Sequence, residues 1–568
     1  MNPAPPWLAS YPPDVAAEAP DSGFASLAAL RAHCVAQYGE RIAFENLGGR
    51  LSYAQVETLS SDFAAWCQTC ARLPAGARIA LMLPNLLQYP VCLFGAWQAG
   101  LTVVPCNPLF TARELREQLR DAQVDAIVVA ENFAHVLEQV LPEVPVRHVL
   151  VTGIGDLLGF AKGRLIDLAL RWQGKIPRWR IAGALSLRQA LAAGRAAPFH
   201  PPPLGRDDLA LLQYTGGTTG TPRAAMLSHG NLLANLDQAH AWLRSRLRPR
   251  ETIVTALPLY HIFALTANCL MFFKIGGANL LITNPRDFDA FVRTLRRWPL
   301  SCITGVSTLY GALLDHPGFR HLDFSQLNIA LAGGMTLQKP VAERWQALTG
   351  RPLIDAYGLT EASPAVSINR LDIDGHTGSI GLPLPSTEVT IRDEFGHDLS
   401  IGEAGELCVR GPQVMRGYWR REDETRAAFT VDGYLRTGDI AYLDAQGALH
   451  LVDRRKDIII VSGFNVYPNE VEAVAMSHPA VREAAAIGVP DVHRGEAVRL
   501  FVVPRDERLD TDALIAYCRE RLAGYKTPRE IIIRPSLPKT PVGKVSRRAL
   551  RDEPPPRPGP PDRSGCGN

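Results

Sequence analysis

The chain has 568 residues, 46% hydrophobic and 21% charged, ordinary globular usage that excludes a largely disordered polypeptide. Domains of roughly 100–200 residues make several the expectation, large enough to bury cores without disulfide or metal staples. Sixty basic residues against 57 acidic leave a formal net charge of +3, which gives no support to a dedicated nucleic-acid binder.

The first residues, MNPAPPWLASYPPDVAAEAPDSG, have no basic start and no apolar core, so they do not read as a secretory signal. Ten Cys are scattered from Cys34 to Cys566, and reduced thiols in a cytoplasmic compartment are expected. Cys67 and Cys70 have CxxC spacing without a second pair, which fits two packed or surface thiols better than a metal or redox pair. Residues 79–112 and 252–273 carry no Asp, Glu, Lys or Arg. Pro84, Pro90, Gly100 and Pro105 interrupt the first run, Pro258 and Asn268 the second. A span needs about 20 consecutive apolar residues in one helix, so both read as buried strand–loop–helix segments. Apolar runs at 79–83, 126–130, 149–152, 280–282 and 329–332 alternate with helical patterns, which predicts an α/β fold with sheets flanked by helices. Residues 162–180, KGRLIDLALRWQGKIPRWR, hold six basic residues against one acidic, with Trp172 and Trp179 interleaved. They fit either a peripheral membrane-binding segment or an ordinary surface helix and loop.

Residues 211–229 read LLQYTGGTTGTPRAAMLSH. Glycines let backbone N–H groups approach an anion and hydroxyls add donors, although a flexible Ser/Thr/Gly loop has the same composition. YGLTE at 357–361 and TGD at 437–439 read locally as turns, and DRRKD at 453–457 as a charged turn. Beyond it, the runs 484–488, 500–503 and 530–534 with the helical TDALIAYCRERLAG predict a small α+β domain. In LPKTPVGKVSRR, Pro538, four residues, Gly543 and Lys544 form a basic turn. The Pro- and Gly-rich residues 553–568 read as disordered.

In this order, these motifs resemble those of the adenylate-forming superfamily of acyl-CoA synthetases, luciferases and peptide-synthetase adenylation domains. The likeness runs from about residue 7 to 551 and is strongest to bacterial long-chain fatty acyl-CoA synthetases, as in PNLLQYPVCLFGAWQAG, TALPLYHIFALTANCL and SGFNVYPNEVE. The resemblance implies a large N-terminal domain, 1–453, of sheets flanked by helices plus a distorted β-barrel. A hinge at 454–456 and a small mobile domain at 457–552 would follow. It implies that ATP and AMP are bound by Thr215, Gly216, Gly217, Thr218, Thr219, Gly220, Gly334, Tyr357, Gly358, Thr360, Asp439, Arg454 and Lys544. Thr218 and Glu361 would hold Mg²⁺, and both would share in catalysis with Lys544. His261 and Gly333 would line the acyl pocket, although His261 also fits a core histidine. Lys456 would be the hinge residue and Gly463 would line the CoA channel. The implied reaction activates a long-chain fatty acid with ATP to an acyl-adenylate and passes the acyl group to CoA, releasing AMP and pyrophosphate. Peripheral contact with the cytoplasmic face of the inner membrane and a homodimer are further expectations.

Departures from the family pattern are Arg223 and Ala224 where Lys and Gly are common, and Tyr434 and Arg436 where the fatty acyl signature has Trp and His. The segment PLYHIFAL lacks the carboxylate by which amino-acid-activating relatives hold an ammonium. Two other readings are a ligase that serves a carrier protein and a non-catalytic lipid-binding scaffold. No carrier domain is visible, and retention of Thr218, Glu361, Asp439 and Lys544 argues against the scaffold.

Overall fold

The computed structural model describes residues 5–215, 222–248, 250–462, 464–491, 494–505, 509–540 and 543–552. The chain divides into two compact units, Met1–Val452 and Asp453–Asn568.

The larger unit is built on three sheets. A seven-stranded sheet runs in the order Leu185–Ser186, His148–Thr152, Ala126–Ala130, Arg78–Met82, Thr102–Pro105, Leu209–Thr215, Arg223–Ser228. Its strands are parallel except for the last antiparallel pair. A nine-stranded sheet runs Leu382–Pro383, Ala365–Ile368, Ile354–Gly358, Ile329–Gly333, Cys302–Gly305, Thr252–Thr255, Ala278–Leu281, Ile42–Asn46, Gly49–Ser52, parallel through its middle. Ala126–Ala130 is buried at every position, as expected of a parallel strand covered on both faces. The third sheet orders Glu388–Arg392, Gly405–Arg410, Leu435–Leu443 and Leu449–Arg454. Where a distorted barrel was expected, no pairing within this sheet closes it among the described residues.

The uncharged stretch at 79–112 holds two strands and the helix Gln88–Gln98, every residue of which is buried. A helix apolar all round is a core element. The stretch at 252–273 holds the strand Thr252–Thr255, a π-helical turn Ala264–Leu270 and the short helix Met271–Lys274. Among the described residues no helix is long and apolar enough to cross a membrane. Cys67 is buried and Cys70 exposed, both as free thiols on the π-helical turn Trp66–Cys70.

The helix His229–Leu243 starts at Ser228, whose side chain accepts from Asn231 N at 3.1 Å. His229 is only 1% exposed, and its Nδ1 accepts from Leu27 N at 3.3 Å, which fixes a neutral ring. Burial brings its pKa down from 6.5 to about 4. Between these values the unfolded chain binds the extra proton, so the stability supplied by the neutral ring is whole above about 6.5 and is lost as pH falls toward 4. Acidification from pH 7 to 5 is expected to destabilise the larger unit by about 2 kcal/mol through this group. Urea unfolding at both pH values would check it: His229→Gln should flatten the slope, and an unchanged slope would refute the assignment.

The smaller unit carries a five-stranded sheet ordered Phe464–Val466, Ile459–Val461, Gly495–Pro504, Val481–Asp491, all antiparallel, with Glu530–Ile533 pairing in parallel with Gly495–Pro504. Helices Pro468–Met476 and Thr511–Arg521 contribute Val471, Leu514 and Cys518 to its core.

Candidate active site

In the larger unit, the residues expected at the site lie at neighbouring strand ends and on the turns after them. Ile329–Gly333 and Ile354–Gly358 pair in parallel, with Gly333 opposite Ala356. A Cβ on Gly333 would stand 2.9 Å from the Ala356 carbonyl oxygen and 3.3 Å from the Phe263 ring, so only hydrogen fits. Gly334 follows at φ +81°, a left-handed conformation that disfavours a side chain. His261 is half-buried, and its Nδ1 accepts from Phe263 N at 3.3 Å. The neighbouring Tyr260 phenol is pushed up to about 12 by burial.

Tyr357 and Asp439 come from different sheets and meet. The Tyr357 hydroxyl donates to Asp439 Oδ2 at 2.6 Å, with both residues buried. Asp439 N donates to Thr437 Oγ1 at 3.1 Å, and that hydroxyl donates to the Leu407 carbonyl at 2.7 Å. Gly438 takes φ +72° between them. The TGD triplet is therefore a pinned kink within the strand Leu435–Leu443 that aims its carboxylate at Tyr357.

Glu361 stands on the 3₁₀ turn Thr360–Ala362, which packs against both strands of the Leu209–Thr215 and Arg223–Ser228 hairpin. Its Oε1 accepts from the Tyr418 hydroxyl at 2.8 Å, and its backbone carbonyl accepts from Met415 N at 2.7 Å. A Cβ on Gly358 would lie 2.2 Å from the Pro364 carbonyl oxygen, so glycine is required for this tight return. Burial and the adjacent Glu361 carboxylate hold the Tyr418 phenol well above its ordinary range. Tyr418 is zipped to the hairpin: Met226 N donates to Gly417 O at 2.9 Å and Trp419 N to Ala224 O at 2.8 Å.

Arg223 lies with its guanidinium 5.3 Å from the Tyr418 ring centre and its Nε 3.1 Å from Glu424 Oε2. A planar guanidinium can stack and pair at once, so the departure from Lys is accommodated by specific contacts. Thr215 pairs with Arg223 at the end of the hairpin. Gly216, Gly217, Thr218, Thr219 and Gly220 lie outside the described residues, as does Gly463.

In the smaller unit, Lys544 leaves a tight turn. Thr540 N donates to Lys544 O at 2.6 Å, Lys544 N to Thr540 Oγ1 at 3.1 Å, and Gly543 adopts φ +86°. Three residues on, Arg547 donates to both Glu472 oxygens at 2.9 Å and to Asn469 Oδ1 at 2.6 Å. It also stands 3.5 Å from Asp453 and 3.4 Å from Asp457. The Asp453 side chain is 0% exposed. Burial holds Asp453 and Glu472 above the usual carboxylate range, while Arg547 pulls both back. Arg454 donates its backbone N–H to Asp453 Oδ1 at 2.7 Å, and Lys456 sits on the 3₁₀ turn Arg455–Asp457. Local sequence singled out neither Tyr418 nor Arg547, because each acts through a partner more than fifty positions away.

Among the described residues no group of three or more His, Cys, Asp or Glu could hold a metal. A single oriented carboxylate still suits Mg²⁺, which keeps water and phosphate oxygens as its other ligands.

Comparisons with known proteins place the chain in a family. Residues 31–419 match the AMP-binding enzyme model, and residues 470–544 match the AMP-binding enzyme C-terminal domain. The chain is 51% identical to a long-chain-fatty-acid–CoA ligase of Salmonella typhimurium over 96% of this chain and 98% of that protein. The same identity and coverage hold for a long-chain-fatty-acid–CoA ligase of Escherichia coli O157:H7. Among solved structures, ATP-bound MatB from Rhodopseudomonas palustris is 28% identical and superposes with a TM-score of 0.79 over 92% of this chain and 98% of that one. The chain belongs to the AMP-binding enzyme family, the adenylate-forming enzymes whose motifs it carries.

Proposed function

We propose that the protein activates long-chain fatty acids with ATP, forms an acyl-adenylate, and transfers the acyl group to CoA with release of AMP and pyrophosphate. The carrying observation is half-identity to long-chain-fatty-acid–CoA ligases along nearly the whole of both chains. The chemistry addresses a leaving-group problem. A carboxylate cannot expel oxide when a thiol attacks, whereas AMP departs readily. Asp439, oriented by Tyr357, presents a carboxylate suited to the two ribose hydroxyls, and the Tyr357 ring flanks the base. His261 and Gly333 line the acyl entrance, where glycine lets the Phe263 ring and the Ala356 carbonyl pack close against the strand end. Thr215, Thr360 and the hydroxyl–glycine residues 216–220 position the phosphates.

Glu361, held by Tyr418, and Thr218 would hold Mg²⁺, which when bound draws charge from the phosphate oxygens. Lys544 supplies a mobile cation to the charge that builds at the α-phosphorus. The assigned domain organisation is a larger domain at 1–453, a hinge at 454–456 and a small domain at 457–552. Rotation about Lys456 then exchanges the adenylating role for a thioester-forming one, in which Gly463 lines the path of CoA. Such an exchange limits hydrolysis of the mixed anhydride. A cytoplasmic location and a homodimer belong to the same reading by family resemblance, and peripheral membrane contact by an exposed helix.

Pyrophosphate release across acids from acetate to oleate, with and without CoA, tests the proposal. The expected result is a single slow turnover without CoA, sustained turnover with it, and rates that rise with chain length. Transfer to a carrier protein with none to CoA would overturn it.

A further inference from the structure

The helix Phe160–Trp172 presents Phe160, Leu165, Leu168 and Trp172 to solvent, at 66, 67, 65 and 88% exposure. With 3.6 residues per turn, Leu165, Leu168 and Trp172 fall within about 60° of arc, flanked by Arg164 and Arg171 on one side and Lys162 on the other. The opposite face is fastened down. Gly163 and Gly155 meet backbone to backbone, since a Cβ on either would stand 2.1–2.2 Å from the other's carbonyl oxygen. Asp167 Oδ1 accepts from Gly155 N at 2.9 Å, so the segment's one acid is turned inward. Ile166 packs against the main core. Beyond the helix, Trp179 is half-buried against another core cluster while Lys175 and Arg178 remain exposed. Of the two interleaved indoles, only Trp172 is therefore presented outward.

We propose that this face docks the enzyme on an anionic phospholipid surface, with Leu165, Leu168 and Trp172 entering the headgroup–acyl boundary and the basic residues meeting lipid phosphates. A short apolar stripe with aromatic and aliphatic tips and cationic flanks is the composition of an interfacial helix, and each cation near an anionic surface adds attraction that salt screens. Within residues 160–180 the outward charges are all basic; Arg171 is engaged by Glu131, which leaves Lys162, Arg164, Lys175 and Arg178 as the cations offered to lipid phosphates. The inference rests on the peripheral-contact part of the proposed function and not on its catalytic part.

The test is co-sedimentation of the purified full-length protein with phosphatidylcholine vesicles, with and without phosphatidylglycerol. Binding is expected to favour the anionic vesicles and to weaken with salt. The triple substitution L165S/L168S/W172S should lower partitioning about 100-fold, or about fivefold for each half-inserted side chain. The exposed pair Lys175→Glu and Arg178→Glu should remove the preference for phosphatidylglycerol, with circular dichroism and activation of detergent-dispersed fatty acid unchanged. This charge pair decides the matter if the triple variant does not fold. Vesicle binding by an enzyme that makes no acyl-CoA would support the surface and reject the catalytic reading. No binding by the unaltered protein, full binding by the charge variant, or a triple variant that only converts a dimer to a monomer would overturn the proposal, the last pointing to a second copy on this face.

Discussion

Replacing Lys544 with Ala is expected to slow adenylation about 10²–10³-fold, the usual effect of removing one preorganised group that stabilises transition-state charge. Thioester formation from supplied acyl-adenylate should change little. The asymmetry follows from the charge each half-reaction develops. Attack of the fatty carboxylate on the α-phosphorus gathers negative charge between two anions, where a mobile ammonium has most effect. Thiol attack on the mixed anhydride places its new charge on the carbonyl oxygen and then on the departing AMP oxygen, and in the proposed domain exchange Lys544 has left the site by that stage. The local structure fits a residue that must be delivered accurately yet released. Thr540 closes the turn on both sides of Lys544, and Gly543 takes the positive φ that lets it do so. Pyrophosphate release and acyl-transfer assays on the same preparation would read both half-reactions. Equal losses in the two would reject the separate role of Lys544, and rescue by Lys544→Arg would argue that charge alone suffices.

The scaffold was largely legible because buried parallel strands write themselves as short apolar runs. The runs at 79–83, 126–130 and 329–332 correspond to Arg78–Met82, Ala126–Ala130 and Ile329–Gly333 within a residue or so. The π-helical turns at Trp66–Cys70 and Ala264–Leu270 were not legible, since one extra residue in a turn leaves no mark in hydrophobic periodicity. The site divides in the same way. YGLTE and TGD could be marked as segments, but the Tyr357–Asp439 bond joins residues 82 apart on two sheets. Locally, Tyr418 belongs to no motif and Arg223 is only a departure from the family's Lys. Only the fold shows that Tyr418 holds Glu361 and that Arg223 covers its ring. Trp172 and Trp179 were equivalent as sequence, and burial separates them.

The residue that local pattern hid most completely yields the largest expected stability effect. Arg547→Met is expected to destabilise the smaller unit by about 3–5 kcal/mol, the range for removing one partner of a buried ionic cluster. The loss is not the worth of a surface ion pair. The Asp453 and Glu472 side chains are 0% and 10% exposed, and both already titrate above the usual range with the guanidinium present. Without it they must ionise in a poorly solvated site or take up protons. The folded variant then binds more protons than the unfolded chain, so its stability should rise as pH falls from 7 toward 5, opposite in sign to the His229 effect in the larger unit. Glu472→Gln added to Arg547→Met should restore part of the loss by removing one stranded charge, while the Asp453 carboxylate remains. Amide exchange in Val481–Asp491, where Ala486 N donates to Glu472, would localise the change to this unit within the full-length enzyme. A variant within about 1 kcal/mol of the parent, where ordinary surface pairs lie, with no gain on acidification, would show that solvent already carries these charges.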